Sequence, residues 1–244
     1  MMQRRVPQRS AVVFGARNLG RAVVELLLED GWSVAAGAVS DETLAAVTAS
    51  GALALRADVT DPESVHGVLM QAADAHGEVD LVVNAASAYG GDRKGPFGGG
   101  PIAEAGPGAF DAWAAAPARA AFSFLSAAGA FLLERGRPAT VIQVTGGSSR
   151  RAAAGRGLWA AGAFGVRAIT QAAALELREA GIHVALLIVD AGIEPIAGAP
   201  AGTDVAALAD PRELASAVRF LADQGARGTT HELQVTPLAE RWVP

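Results

Sequence analysis

Short apolar runs alternate along the chain with longer stretches in which apolar residues recur every three or four positions. The short runs are typical of buried strands, and the longer stretches are typical of helices with one apolar face. The predicted strands cover residues 11–14, 34–36, 53–55, 80–84, 141–145, 183–189 and 232–235. The predicted helices cover residues 21–28, 62–76, 158–179 and 211–223, with one more from Asp41 and one over 110–133 that Pro117 interrupts. Strands that alternate with helices predict an α/β fold with a mostly parallel sheet and helices on both faces.

Two segments lie outside this alternation. Residues 85–108 form a long loop rich in glycine and proline. A loop of this length inside a compact domain is usually functional, so we expect it to border an active site. Residues 1–9 are expected to form a flexible N-terminal tail. Because neither a repeat nor a linker divides the chain, residues 1–244 are predicted to be a single domain.

Composition and charge exclude several classes of protein. Hydrophobic residues make up 51% of the 244 residues and charged residues 18%, which is incompatible with a disordered chain. The formal net charge is −5, whereas nucleic-acid binding usually requires a basic stripe, so no nucleic-acid partner is expected. The chain has no cysteine, which excludes disulfides, thiolate catalysis and zinc-thiolate or iron–sulfur sites.

A membrane partner is not expected either. No uncharged apolar run reaches the roughly 18 residues that span a bilayer. The stretch 120–133 comes closest, and Ser123, Ser126 and Gly129 dilute it. The apolar stretch 11–14 after Arg4 and Arg5 is too short for a signal peptide, so the cytoplasm is the expected location.

A glycine-bounded turn separates the first predicted strand from the first predicted helix. It reads Gly-Ala-Arg-Asn-Leu-Gly over residues 15–20. Glycines at this place let the backbone approach a pyrophosphate, which the free N–H groups and the dipole of the helix N-terminus attract. The pattern therefore indicates a dinucleotide site, although a plain tight turn between strand and helix would also use glycine.

Further motifs follow at regular places along the chain. They are Ala-Asp-Val-Thr at 57–60, Asn-Ala-Ala-Ser at 84–87, Thr-Gln-Ala-Ala-Ala-Leu-Glu-Leu at 170–177, Asp-Pro at 210–211 and Thr-Thr-His-Glu at 229–232. Together with the glycine turn, these motifs resemble the short-chain dehydrogenase/reductase family over nearly the whole chain. The resemblance implies a single Rossmann-like, doubly wound sheet of about seven parallel strands in the order 3-2-1-4-5-6-7.

The resemblance also implies a cofactor site and partners. The cofactor-binding positions that it implies are Gly15, Arg17, Asn18, Leu19, Gly20, Asp58, Val59, Asn84 and Ala85. A small-molecule substrate is the expected ligand. A homo-oligomer, either a dimer or a tetramer, is expected through helix faces rich in small residues at 120–130 and 160–174.

The glycine turn departs from the family pattern. Gly20 is the fifth residue after Gly15, whereas in the family pattern the last glycine is the sixth residue after the first. Asn18 stands where the middle glycine would fall. Asparagine tolerates a left-handed conformation better than most residues, so the turn is expected to survive. After the second strand no acid occurs before Asp41, and Arg17 matches a basic position of NADP-preferring relatives. NADP(H) is expected in preference to NAD(H), and a site closed to both is the remaining alternative.

The four catalytic positions implied by the resemblance are all replaced. The tyrosine position is Trp159, the lysine position Ala163, the serine position Gly146 and the asparagine position Pro117. Indole offers a donor but no titratable proton, and alanine and glycine offer no polar side chain. The chain has one tyrosine, Tyr89, and one lysine, Lys94, so no shift of register restores a Tyr-x-x-x-Lys motif. Family-standard carbonyl reduction is therefore expected to be lost.

Few other residues are candidates for the chemistry. Tyr89 is a candidate proton donor, Ser148 a candidate hydroxyl donor beside Thr145 and Ser149, and Asp190 a candidate base on the cofactor side of the sheet. No spacing of His, Asp and Glu suggests a metal site.

Three functions are compatible with these residues. The first is a small-molecule enzyme with non-standard, non-redox chemistry such as cyclisation, isomerisation or elimination, in a pocket walled by Tyr89, Phe97, Trp113 and Trp159. The second is an NADPH-dependent reductase with a surrogate proton donor. The third is a non-catalytic dinucleotide sensor or a partner of an active paralogue.

Overall fold

A parallel sheet of seven strands forms the centre of the protein. The computed structural model describes residues 8–87 and 96–240. The strands of the main sheet are β1 (Ser10–Phe14), β2 (Ser33–Ala38), β3 (Leu53–Arg56), β4 (Leu81–Asn84), β5 (Ala139–Gly146), β6 (Ile182–Val189) and β9 (Glu232–Val235). Their order is β3-β2-β1-β4-β5-β6-β9, and every neighbouring pair is parallel. The predicted fold class and strand order are confirmed.

The helices cover both faces of this sheet. They are α1 (Leu19–Glu29), α2 (Asp41–Ser50), α3 (Pro62–His76), α4 (Pro107–Phe110), α5 (Ala116–Arg135), α6 (Gly157–Leu177) and α7 (Pro211–Ala222). One buried cluster joins alternate strand residues such as Val13 and Val83 to α1 and α7. A second cluster joins the intervening residues, such as Val12 and Val82, to α3, α5 and α6. The alternation of side chains along each strand thus produces two cores.

Local capping explains several of the helix starts. The Ser40 hydroxyl accepts a hydrogen bond from the backbone N–H of Thr43 at 3.3 Å, as expected of an N-cap. Asp61 and Asp210 cap α3 and α7 in the same manner, each followed by a proline that needs no N–H donor in the first turn. These starts agree with the sequence, because the capping residues and the helices that they open are adjacent in the chain.

The helix expected over 110–133 contains a wider turn just before Pro117. Residues Asp111–Ala115 form a π-helical turn in which the N–H of Ala116 bonds to the carbonyl of Asp111. Pro117 follows directly and has no N–H for the carbonyl of Trp113, four residues earlier. The wider turn accommodates the proline without ending the helix, as π-bulges commonly do.

Two short strands were not predicted. β7 (Gly192–Ile193) pairs with β8 (Leu208–Ala209) in a separate two-stranded sheet. Each strand has two residues, which is too short to produce a recognisable pattern. This pairing fixes the segment that leaves β6 at the carboxyl edge of the main sheet.

The predicted tail and loop are only partly within the described residues. Residues 1–7 of the predicted tail lie outside the described residues. The Arg9 guanidinium lies 3.8 Å from the centroid of the Trp32 ring and pairs with Asp223. In the loop predicted over 85–108, Phe97–Gly99 form a 3-10 turn and α4 begins at Pro107. Tyr89 and Lys94 lie outside the described residues.

One helical segment of the described residues is long and apolar enough to cross a membrane by length and composition. It is Pro107–Arg135, which combines α4, the π turn and α5. Of the 18-residue stretch of this segment with the highest mean hydropathy, 61% is buried within the protein. Since Phe124 and Phe131 of α5 belong to the core against the sheet, the segment has the packing of an internal helix.

The histidine at the start of β6 should make the stability of the protein depend on pH. Burial lowers the pKa of His183 below 6.5, and the charge of His231 acts in the same direction, although a hydrogen bond with the carbonyl of Thr230 opposes it. The unfolded chain therefore takes up a proton first as pH falls below about 6.5, which stabilises the unfolded state. We expect the melting temperature of His183→Gln to fall less than that of the wild-type protein between pH 7.5 and pH 5.5, because this variant has no group that gains a proton at this place. Thermal unfolding of both proteins at the two pH values measures this, and equal losses would contradict it.

Candidate active site

A cavity of about 720 Å³ lies at the carboxyl ends of the central strands. Its walls come from the turn between β1 and α1, from the ends of β2, β4 and β5, and from α5 and α6. This edge of an open parallel sheet, where the strand order reverses between β1 and β4, is the usual ligand site of such folds. Every cofactor-binding position predicted from the sequence, with the exception of Gly20, lines the cavity.

The two glycines of the turn are required by close packing within the protein. Gly15 has a φ of +82°, and a Cβ there would lie 2.3 Å from the backbone nitrogen of Ala86. A Cβ on Gly20 would lie 2.5 Å from the carbonyl oxygen of Gly15. The first glycine thus brings the turn against the end of β4, and the second brings α1 against the turn. This arrangement directs the N-terminus of α1 at the cavity.

Asn18 does not use the left-handed conformation that the sequence suggested. Its φ is −123°, and the described residues contain no left-handed residue other than glycine. The side chain extends to a distant segment, where its Nδ2 donates to the carbonyl of Glu194 at 3.2 Å and its Oδ1 accepts from the N–H of Ile196 at 3.0 Å. The shortened turn therefore accommodates asparagine by tertiary hydrogen bonds.

Polar side chains surround the end of the cavity near β2 and β3. Arg17, Ser40 and Thr43 line it, and the Arg17 side chain makes no ion pair with any residue in the ranges 8–87 and 96–240. Asp41, the first acid after β2, is paired with Arg56. The Oδ1 atom of Asp58 accepts from the N–H of Thr60 at 2.9 Å and from its hydroxyl. This end of the cavity thus has the hydroxyls of Ser40, Thr43 and Thr60, and a guanidinium without an ion pair among the described residues.

The opposite end of the cavity contains all four positions that the resemblance assigned to catalytic residues. Pro117, Gly146, Trp159 and Ala163 lie on its wall. The structure thus brings together four positions that are up to 46 residues apart in the sequence. None of these side chains can supply a titratable proton.

An aromatic cluster supports Trp159. Its ring centroid is 5.4 Å from that of Phe97 and 6.0 Å from that of Trp113, and Phe97 and Trp113 are 4.9 Å apart. Such edge-to-face and tilted arrangements fix the rings against each other. Of the four side chains expected to wall the pocket, Trp159 lines the cavity, whereas Phe97 and Trp113 contact its ring without belonging to the lining. The fourth, Tyr89, lies outside the described residues.

The floor of the cavity has a pair of buried amides, of which sequence reasoning missed one. Asn84 and Gln143 are directly opposite in β4 and β5, and Asn84 Nδ2 donates to Gln143 Oε1 at 3.0 Å. Gln143 also donates to the carbonyl of Val144, and Asn84 accepts from the N–H of Ala86. The glutamine inside a predicted buried strand could have indicated this pair, because a buried amide requires polar partners.

The candidate hydroxyls differ in their position. Thr145 lines the cavity, whereas Ser148 and Ser149 are not part of its lining. Ser149 is completely buried, and its hydroxyl has no hydrogen-bond partner among the described residues. Of these three hydroxyl residues, Thr145 is thus the one on the cavity wall, and Ser148, the preferred candidate from the sequence, is not.

Asp190 has a structural role instead of a place on the cavity wall. Its carboxylate pairs with both terminal nitrogens of Arg151 and accepts from Gln234 Nε2 at 3.0 Å. It also lies against Gly147, where a Cβ would meet Asp190 Oδ1 at 1.8 Å. The carboxylate that the sequence suggested as a base is thus bound by Arg151 and Gln234, and Asp190 does not line the cavity. The ion pair fixes the turn that follows β5.

A second ion pair supports α6 from outside the cavity. Arg167 Nε donates to Glu232 at 2.7 Å, and Gln171 donates to the same carboxylate at 2.7 Å. The hydrogen bond from Arg167 lowers the pKa of Glu232 against the opposing effect of burial, and the pKa of Arg167 is raised in return. Both groups are thus charged and tie α6 to β9.

The fold and this cavity define a dinucleotide-binding type of α/β protein. The family model for the short chain dehydrogenases matches residues 9–192. The chain therefore belongs to the short-chain dehydrogenase/reductase family of oxidoreductases. Within the described residues no group of His, Asp or Glu could hold a metal ion.

Individual relatives agree with this family. The sorbitol dehydrogenase of Cereibacter sphaeroides is 28% identical over 184 residues, which are 74% of this chain and 69% of that protein. An alcohol dehydrogenase from the archaeon Thermococcus sibiricus, solved with 5-hydroxy-NADP, superposes with a TM-score of 0.78 at 23% identity, covering 97% of this chain and 100% of that one. A metagenomic short-chain oxidoreductase in complex with NADP has a TM-score of 0.72 at 25% identity, covering 95% of this chain and 98% of that one.

Proposed function

We propose that the protein binds NADP(H) and is an enzyme that acts on an uncharged small molecule without the family's proton-transfer residues. The observation that carries the proposal is the composition of one cavity. Its end near β2 has the features of a dinucleotide site, and its other end has Pro117, Gly146, Trp159 and Ala163 at the catalytic positions. The reaction class that fits is one in which orientation matters more than proton transfer, such as cyclisation, isomerisation or elimination.

The residues present fit a dinucleotide. The turn at Gly15 leaves no room for a Cβ. The N-terminus of α1 has no side-chain cap, so its backbone N–H groups are available to a pyrophosphate. Arg17, Ser40 and Thr43 would hold a 2′-phosphate, and Asp58 and Val59 would contact the base. When bound, the nicotinamide group can accept or donate a hydride.

The other end of the cavity favours an uncharged ligand. Arg17 and Asp58 are the charged side chains of the described lining, and both belong to the proposed nucleotide end. Away from the nucleotide end, the polar side chains of the described lining are the amides of Asn84 and Gln143 and the hydroxyls of Ser87 and Thr145. A charged substrate would lose its hydration there without gaining an ion pair from the described lining, which is unfavourable. A neutral molecule with an acceptor oxygen fits this lining.

Titration of the purified protein with NADPH and NADH, followed by tryptophan fluorescence, tests the proposal. Saturable binding with preference for NADPH supports it, and binding of neither cofactor contradicts the dinucleotide part. A screen of neutral substrates then follows NADPH absorbance and product formation in parallel. Product without a change in absorbance supports non-redox chemistry. Stoichiometric consumption of NADPH would identify a reductase with a surrogate donor, and binding without any turnover would identify a sensor.

Arg17 should determine the preference between the two cofactors. In Arg17→Ala we expect the Kd for NADPH to rise about tenfold, because one charge-assisted contact with the 2′-phosphate is lost. The Kd for NADH should change by less than about threefold. Arg21→Ala is the matched control, since it removes the same charge from α1, where Arg21 pairs with Glu25 outside the cavity. Equal losses for both cofactors in Arg17→Ala would refute the assignment.

We also propose that the protein forms a homo-oligomer through α5 and α6. Both helices expose large apolar side chains: Phe122 (59%), Leu133 (51%), Phe164 (44%) and Leu175 (66%). Exposed apolar groups of this size on neighbouring helices are typical of an interface. The double variant Phe122→Glu/Phe164→Glu is expected to sediment as a monomer where the wild type is a dimer or tetramer. Phe220→Glu on α7 is the control and should leave the mass unchanged, whereas a monomeric wild type would contradict the proposal.

A further inference from the structure

The side chain of Asn18 joins two walls of the cavity that are far apart in the sequence. Asn18 belongs to the turn before α1, and its two hydrogen-bond partners, Glu194 and Ile196, follow β7. The carboxamide donates to one backbone carbonyl and accepts from one backbone N–H, as a neighbouring strand would. We refer to this pair of hydrogen bonds as the Asn18 clamp.

The clamped segment continues from one wall of the cavity, which Ala191 and Ile193 line. The segment is held on its other side by β8, since Ile193 pairs with Ala209 and the N–H of Glu194 donates to the carbonyl of Ala209 at 3.0 Å. The segment after β6 is thus attached to α7 through β8 and to the glycine turn through the side chain of Asn18.

The orientation of Asn18 also leaves the end of α1 available. Asparagine is among the favoured N-cap residues, and its side chain usually satisfies an N–H of the first helical turn. In this protein the Asn18 side chain makes no capping bond to α1, while its own carbonyl accepts from the N–H of Ala22 at 3.1 Å. The first-turn N–H groups are therefore left for an anionic ligand at the turn.

We propose that Asn18 is a positioning residue that couples the dinucleotide site to the segment after β6, which forms one wall of the cavity. The clamp holds residues 191–196 against the turn that binds the pyrophosphate, so a bound dinucleotide leaves only when the clamp opens. The inference rests on the proposed function, because it requires that a dinucleotide binds at this turn. Loss of the clamp therefore accelerates dissociation of the dinucleotide and exposes the N–H of Ile196 to solvent.

The test compares Asn18→Ala with Gln224→Ala. Because Asn18 does not cap α1, its replacement should leave that helix intact. Gln224 forms a similar two-bond amide clamp away from the cavity, donating to the Thr230 hydroxyl at 2.8 Å and accepting from the Thr230 N–H at 2.7 Å. Replacing it removes the same chemistry from a place that does not line the cavity.

Two measurements are made on each protein. Amide hydrogen exchange of the peptide containing Ile196 is followed without nucleotide, and dissociation of NADPH is followed by stopped-flow fluorescence after mixing with excess NADP⁺. In Asn18→Ala we expect both the exchange rate at Ile196 and the NADPH dissociation rate to rise about tenfold, since two hydrogen bonds are lost. In Gln224→Ala both rates should stay within about twofold of wild type.

The outcomes separate this inference from the proposed function. Unchanged exchange at Ile196 overturns the clamp, and faster exchange with an unchanged dissociation rate overturns the coupling. An equal effect in Gln224→Ala overturns a specific role for Asn18. If the wild-type protein binds no NADPH, the proposed function fails and the coupling fails with it, while the exchange measurement still reports on the clamp.

Discussion

The triple variant Gly146→Ser/Trp159→Tyr/Ala163→Lys is expected to reduce carbonyl compounds with NADPH at least about 100-fold faster than the wild-type chain, because a positioned general acid typically contributes about 10²–10⁴-fold. All three positions line one cavity. A Cβ on Gly146 would meet only the carbonyl of Val189, at 3.9 Å, so a serine has room there. The measurement is NADPH oxidation with a panel of ketones and aldehydes.

The control variant differs from the first triple variant by one oxygen atom. In Gly146→Ser/Trp159→Phe/Ala163→Lys the aromatic ring and the new charge are kept, but no phenol can donate a proton. This control should stay near the wild-type rate. If both triple variants bind NADPH and have equal rates, the loss of the proton donor is not what separates this chain from its reductase relatives, and the wall around Trp159 must have changed in other ways.

Gly162→Ala is expected to destabilise the protein by about 1–3 kcal/mol, the usual cost of overpacking in a core. Gly162 is buried in α6, and a Cβ there would lie 2.5 Å from the carbonyl oxygen of Trp113 and 3.0 Å from that of Ala114. Both are backbone atoms of the π turn and cannot move without distorting it. The same residue lies beside Ala163, so the variant should also weaken binding of any ligand that contacts this wall.

Gly67→Ala is the matched control, because Gly67 is also inside a helix, α3, and a Cβ on it would have no neighbouring atom within 4 Å. Alanine is the better helix former, so this variant should gain about 0.5–1 kcal/mol. Chemical denaturation of both variants measures the two free energies of unfolding. Opposite signs are expected, and a stabilising Gly162→Ala would contradict the close packing of α6 on the π turn.

The sequence predicted the elements whose signals are local. Ser40 and Asp61 identify the starts of α2 and α3 because a capping side chain and its N–H partner are within three residues of each other. The ends of α3 and β9 were predicted to the residue, whereas β7 and β8 were missed because each strand has two residues. The π turn before Pro117 was also missed, since the proline signals a disturbed helix but not its geometry.

The candidate site could be predicted only in part. The glycine turn and Asn84 were identified because their residue types are needed at a fixed place after a strand. Ser148 and Asp190 were chosen on their position after β5 and β6, but position in the chain does not determine where a side chain points. The contacts of Asp190 with Arg151 and Gln234 join residues that are 39 and 44 positions apart, so no local pattern indicates them.

The sequence by itself determined the fold and the family, because the strand alternation, the glycine turn and the later motifs can be read directly from it. It also excludes a Tyr-x-x-x-Lys motif after residue 94, since neither tyrosine nor lysine occurs there. Only the tertiary structure decided which of the remaining polar groups are free for a ligand. It paired Asp190 with Arg151, buried Ser149 and turned Asn18 toward Glu194 and Ile196. The reason is physical: a polar side chain binds whichever partner packing places within about 3 Å of it, and packing depends on the whole chain.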